Sequence, residues 1–151
     1  MDETDTGPID EDVLRSIRTR LTSDDRFERV ALEPDSSRIR TVVGRYDRSL
    51  TPESVRRARL DIRWYVGGDF SVHYVEERSN GERWECRWDR HPKPVGREHF
   101  HPPPDAGDAV ATAFPTDYRD LLAVVTAYVA ERFETLWSES GGSGGDYRNN
   151  S

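Results

Sequence analysis

The sequence is poor in several things at once, and each shortage excludes a class. It has one cysteine, Cys86, so no internal disulfide can form and a reducing compartment suits it. The same shortage removes every zinc motif built on cysteine pairs. No apolar run approaches the ~20 residues needed to span a bilayer, so no membrane partner is expected. The opening "MDETDTGPIDED" has neither the basic region nor the apolar stretch of a secretory signal, and a cytoplasmic location is expected. There is no glycine-rich phosphate loop and no serine in a nucleophile-elbow pattern. Lysine is almost missing: one of the 22 basic residues is Lys93 and the others are arginine. Arginine-rich, lysine-poor and acidic composition points to a salt-adapted proteome.

What is present is charge and aromatic bulk. Apolar and charged residues each make up 34% of the 151 residues, so the core is modest, but four Trp, six Tyr and five Phe fill it. The net charge of −7 is uneven: residues 1–12 carry −6, residues 13–97 carry +5 and residues 98–151 carry −6. A basic middle between acidic ends fits either a soluble protein with acidic tails or a surface for an anionic ligand such as nucleic acid.

Punctuation divides the chain into an acidic tail (1–8), one folded domain (9–137) and a Gly/Ser-rich tail (138–151); both tails are expected to be disordered. Asp10 can cap a helix with the stripe Val13, Leu14, Ile17 and Leu21. "RFERVALEP" and "RIRTVVGRY" read as strands joined at "DSS". Thr51-Pro52 is a helix-start signal for a single turn. Three stronger strands follow in "ARLDIRWYV", "DFSVHYVEE" and "ERWECRWD". A final helix begins near Thr116, with the stripe Tyr118, Leu122, Val125, Val129, Phe133 and Leu136. The expected class is α+β: an antiparallel sheet of about five strands flanked by an N-terminal and a C-terminal helix.

Alternation in the strong strands implies a register, because a one-residue slip would turn every side chain over. A loop Gly67-Gly68-Asp69 sets Val66 opposite Phe70 and Trp64 opposite Val72. A loop Ser79-Asn80-Gly81 sets Tyr74 opposite Cys86 and Val72 opposite Trp88. The other face then carries a row of Arg63, His73 and Arg87, a row of Tyr65, Ser71 and Asp89, and a row of Asp61, Val75 and Glu85. Two guanidiniums can hold a phosphate by paired hydrogen bonds, a histidine can pass a proton near neutrality, and Tyr65 can stack or donate. The same face can equally be a solvated one, with cross-strand Arg–carboxylate pairs worth only ~0.2–1 kcal/mol each.

The stretch "REHFHPPPDA" holds two of the four histidines. In an extended chain His99 and His101 point one way and Phe100 the other. Phe100 is expected to face the core, and at least one histidine to come near Arg87 or Asp89 once Pro92, Pro94 and Gly96 have turned the chain. Three roles remain open for the pair: two of the three or four ligands that zinc needs, completed by His73, His91, Asp89, Cys86 or Glu98; a metal-free catalytic or substrate-binding role; or a structural loop stiffened by Pro102 to Pro104.

Residues 58–106, with "ARLDIRWY", "DFSVHYVE", "WECRWDRHP" and "HFHPPPDA", resemble the TumE-like toxin family of toxin–antitoxin modules. Its pattern is a strand ending in Arg-aromatic-Asp, a histidine-rich segment and a terminal helix. Arg87-Trp88-Asp89 matches the first part, and His99 and His101 match the second. The linker "KPVGRE" and the triple proline depart from the common form. The resemblance implies growth inhibition through RNA, as a ribonuclease or RNA binder, with a cognate antitoxin as partner. On this reading the catalytic candidates are His73, Asp89, His91, His99 and His101. The substrate-binding candidates are Arg63, Arg87 and Tyr65. No metal or cofactor is called for. The alternative is a non-catalytic module that binds a protein or an anion.

Overall fold

A computed structural model describes residues 7–91 and 98–149 of the chain. Residues 1–6 of the expected acidic tail, and the expected turn at Pro92, Pro94 and Gly96, lie outside them. The first helix, α1 (Glu11–Thr22), begins where the sequence indicates: the Asp10 carboxylate accepts a hydrogen bond from the Val13 N–H at 3.1 Å. Glu11 and Asp12 face the positive end of the helix dipole. Leu14, Ile17 and Leu21 are buried.

Seven strands follow: β1 (Phe27–Asp35), β2 (Arg38–Tyr46), β3 (Val55–Trp64), β4 (Phe70–Arg78), β5 (Arg83–Arg90), β6 (Glu98–His101) and β7 (Val110–Ala111). They pair in sequence order as one antiparallel meander. The α+β class stands; the strand count exceeds the expected five. The two extra strands are four and two residues long, too short for alternation to announce them. The expected helical turn at Thr51-Pro52 is displaced. A 3₁₀ turn forms earlier, at Arg48–Leu50, because Asp47 caps it through the Ser49 N–H at 2.9 Å.

The last helix, α2 (Tyr118–Asn149), starts two residues after Thr116 and buries Leu121, Leu122, Val125, Val129, Phe133 and Leu136. Its backbone continues through residues 138–149, which the sequence reading assigned to a tail. Both helices cover the same face of the sheet. Aromatic rings fill the space between, with Phe133 meeting Tyr46 at 5.1 Å and Tyr128 meeting Trp88 at 5.4 Å between centroids. Gly44 sits where α1 presses closest; a Cβ there would lie 3.0 Å from Phe27 and 3.1 Å from Leu21. Glu76, fully buried, fastens α2 to the sheet. Its carboxylate takes two bonds from Arg132 (3.0 and 2.7 Å), one from Arg78 (2.8 Å) and one from the Tyr74 hydroxyl (2.9 Å). Arg132 also lies 3.7 Å over the Trp84 ring.

The β4–β5 register is the one that alternation implies, with Tyr74 opposite Cys86 and Val72 opposite Trp88. The β3–β4 register differs by two residues: Trp64 lies opposite Phe70 and Ile62 opposite Val72. The loop has three residues as expected, but it is Val66-Gly67-Gly68, closed by the Tyr65 N–H on the Asp69 carbonyl at 2.9 Å. Gly68 takes the positive φ (+96°) that the turn requires. The N-terminal segment fixes this choice, since the Asp10 N–H bonds to the Trp64 carbonyl and the Val66 N–H to the Pro8 carbonyl. Val66 is therefore drawn out of the core, 60% exposed. A two-residue shift keeps every side chain on its face but changes its neighbours.

Candidate functional site

The face opposite the helices is open and concave, with a hollow of about 660 Å³ whose lining includes Arg63, Tyr65, His73, Arg87, Asp89 and His91. Because of the shift, the rows are not those expected. His73 stands between Asp61 and Arg87, and Arg87 is followed by His101 on β6. The next row runs Arg63, Ser71, Asp89 and His99. Arg63, His73 and Arg87 thus share the face without forming one line. Tyr65 leaves the row that Arg63 takes over and stands at the rim, bridged to Ile9.

β6 answers the question posed by the H-x-H pair. Trp88 faces Phe100, and the flanking pairs Asp89–His99 and Arg87–His101 fall on the open face. Phe100 packs on Trp88 and Tyr128, with centroids 5.3 and 5.4 Å away, although it is only half-buried. With His73 on β4 and His91 at the end of β5, all four histidines of the chain stand on this face.

Asp89 is the hub, 1% exposed. Arg87 Nε donates to both carboxylate oxygens (3.2 and 2.9 Å), His101 Nε2 lies 2.9 Å from Oδ2 and His91 Nε2 3.3 Å from it. The other ring nitrogen of His101, Nδ1, meets the Gly107 carbonyl at 2.9 Å. A carbonyl can only accept, so Nδ1 carries a proton. Nε2 lies 2.9 Å from Asp89 Oδ2 and 3.3 Å from Arg87 Nη2, so both nitrogens of His101 are occupied. The proline run positions Gly107, whose carbonyl this is. The Gly107 N–H bonds to the Pro102 carbonyl (3.0 Å), and the segment runs beside β5, with the Glu85 N–H on the Pro104 carbonyl (2.8 Å).

The remaining histidines differ. His73 Nε2 meets Glu85 Oε1 at 2.7 Å, so Nε2 donates and Nδ1 stays outside that bond. His99 lies between the His91 and His101 rings, 6.3 Å from each, and forms no side-chain hydrogen bond among the described residues. Arg63 is exposed and, among the described residues, bonds only the Thr41 hydroxyl, at 3.1 Å. Cys86 lies on the core face, fully buried, with its thiol pushed up to about 12 by desolvation first and by nearby Glu76 second, so it belongs to the core and not to this site. Among the described residues no group of three or more His, Cys, Asp and Glu is set to hold a metal ion.

Sequence reasoning left out Thr41, Arg45 and Arg59 as neighbours of the site, and it set Asp61 one row away from His73. Thr41 and Arg45 flank Val43, an apolar residue on the polar face, which hides the alternation of β2. Asp61 and Arg59 were displaced by the misjudged loop.

An α+β protein with a single meandering sheet, helices on one face and a cationic, histidine-bearing hollow on the other is the class that this geometry defines. The chain belongs to the TumE toxin family: the family described as "Toxin TumE" matches it over residues 10–133. Membership makes it a toxin-family protein of toxin–antitoxin type, for which an antitoxin partner is the general rule. No curated protein and no solved structure matches it significantly. No helix among the described residues is long and apolar enough to cross a membrane.

Proposed function

We propose that this protein inhibits growth by cleaving RNA on the concave face of its sheet, and that a cognate antitoxin restrains it. The observation that supports this most is the gathering of all four histidines on one face, beside Arg63 and Arg87. Cleavage by an internal 2′-hydroxyl needs a base, an acid and cations. The base takes the hydroxyl proton as the new O–P bond forms. The acid protonates the 5′-oxygen as the old P–O bond breaks, leaving a 2′,3′-cyclic phosphate and a 5′-hydroxyl. Cations offset the charge that builds on the phosphorane.

His99 and His73 are the proton carriers in this reading, because each keeps a ring nitrogen outside the bonds described above. Arg63 and the outer edge of Arg87 hold the phosphate, and Tyr65 at the rim offers a ring for a base to stack on. Asp89 orients Arg87 and His91 and, with Gly107, holds His101 in place. No metal is required by this scheme. One observation favours the alternative of a non-catalytic binder: His101 has no nitrogen to spare for proton transfer.

The test is purified protein on total RNA, with and without a chelator, beside His73→Ala and His99→Ala. Cleavage that survives the chelator, yields cyclic phosphate ends and falls in both variants supports the reading. Binding without cleavage would leave the non-catalytic alternative, and neither binding nor cleavage at low salt would sink both RNA roles.

A further inference from the structure

A second cationic feature leads into this face from the sheet's free edge. Arg29 on β1 lies directly opposite Arg45 on β2, and Arg45 directly opposite Arg59 on β3. Like charges facing each other across strands are destabilising, and neighbouring carboxylates ordinarily interrupt such rows. Here a carboxylate is at hand and is bypassed. Continued from the Phe27–Tyr46 pair, regular pairing would set Glu28 opposite Arg45. A β-bulge between Phe27 and Arg29 advances the strand by one residue and sets Arg29 there instead. Bulges of this kind re-aim a side chain.

Among the described residues neither Arg29 nor Arg45 forms an ion pair, whereas Arg59 is held by Asp61 and Glu77. Arg45 lines the hollow that holds His73 and also a second hollow, shared with Arg29, Arg48, Arg56, Arg57 and Glu28, and Glu28 forms no ion pair among the described residues. From Arg29 to Arg59 the row spans two inter-strand spacings, about 10 Å. A guanidinium left without a carboxylate, in a row that costs stability, suits an anionic ligand with repeated charges.

We propose that Arg29, Arg45 and Arg59 form a phosphate track that carries a single RNA strand from the β1 edge to the histidines. The occupant is the sugar–phosphate backbone of single-stranded RNA, held by charge and not by base identity. This rests on the RNA reading above and adds that the substrate extends beyond the phosphate being cut.

The test compares wild type with Arg29→Gln/Arg45→Gln and with Arg29→Glu, which restores the opposite-charge pair across the strands. The probes are a fluorescent oligouridine of about 12 nucleotides and a labelled dinucleotide that reaches only the histidine site. The double variant should bind the long probe about ten- to a hundredfold more weakly, with a salt dependence shallower by about 1.4 in log–log slope for two lost contacts. Dinucleotide binding should stay the same. Both variants should melt at or above the wild-type temperature, because repulsion has been relieved; a lower melting temperature would make these arginines structural and overturn the track. If wild type binds the long probe and the variants match it, the track fails while the RNA reading stands. If wild type binds neither probe at low salt, the RNA reading fails and the track with it. Unchanged RNA binding together with lost antitoxin binding would assign the row to a protein partner instead.

Discussion

His101 and Asp89 are joined at 2.9 Å, with the carboxylate 1% exposed and the ring anchored behind by the Gly107 carbonyl. This pair anchors the second half of the H-x-H motif and leaves His99 without a side-chain hydrogen bond among the described residues. The two histidines should therefore respond differently to the same change. Asp89→Ala strands Arg87, His91 and His101 together, and loss of one partner from a buried ion pair costs about 3–5 kcal/mol. His99→Ala should shift stability by less than about 0.5 kcal/mol, as for a surface position, while lowering RNA cleavage or growth inhibition. Denaturant melts beside a growth assay separate the two. Full activity in His99→Ala would remove it from the proposed chemistry.

Phe100 faces the core between those histidines but is only half-buried, packed on Trp88 and Tyr128. Phe100→Ala should cost about 2–3 kcal/mol, at or below the lower end for a buried phenylalanine. The measurement is a urea melt; a cost under about 1 kcal/mol would mean that β6 is not held by this ring.

Glu76 carries no solvent exposure and receives bonds from Arg132, Arg78 and Tyr74. Glu76→Gln leaves both arginines short of a counter-charge at the junction of α2 and the sheet. The expected loss is about 3–5 kcal/mol, seen as a lower urea midpoint. An unchanged midpoint would show that α2 is fastened by its apolar stripe alone.

Tyr46 is buried among Phe27, Tyr74 and Phe133, and its hydroxyl has no hydrogen-bond partner among the described residues. Burial, as the largest cause, holds the phenol well above its ordinary ionisation range, so it is a neutral and unsatisfied group. An unpaired buried hydroxyl costs about 1–3 kcal/mol. Tyr46→Phe should accordingly be neutral or stabilising by up to about that amount. A clear loss of stability would reveal a partner for the hydroxyl in solution.

Much of this architecture could be read from the chain, and the misses share a cause. The Asp10 cap, the α2 stripe, the β4–β5 register and the inward Phe100 rest on local periodicity, which a sequence displays. The β3–β4 loop was misplaced because the bonds that fix it come from Pro8 and Asp10, distant in sequence. The gathering of histidines was legible because a two-residue slip preserves the face. The facing of Arg29 and Arg45 was not, because nothing local in "RFERVALEP" marks Glu28 as the bulged residue. The same slip replaced the expected Arg63–His73 pairing with Asp61–His73, so the phosphate-holding arginine stands one row further along the sheet.

The uneven charge yields the last prediction. Residues 13–97 are +5 and hold most of the concave face, while the first twelve residues carry −6. Negative charge near an RNA surface weakens binding through the same long-range field that basic residues use to attract it. Removal of the acidic start should therefore strengthen RNA binding, but the cut has a limit. Pro8 accepts a bond from Val66, Ile9 bridges Tyr65 and Asp10 caps α1, so deletion from residue 7 onward would damage the β3–β4 loop and the helix start. Deletion of residues 1–6 removes three carboxylates and spares all of these contacts. Trimmed protein should bind oligouridine more tightly than the full chain in low salt and converge with it as salt rises, because the Debye length shrinks to about 8 Å at physiological ionic strength. The comparison is a salt titration of both forms by fluorescence anisotropy. A trimmed form that binds no better at low salt would show that the acidic start exerts no field on the site, and the charge argument for an RNA surface would lose its footing.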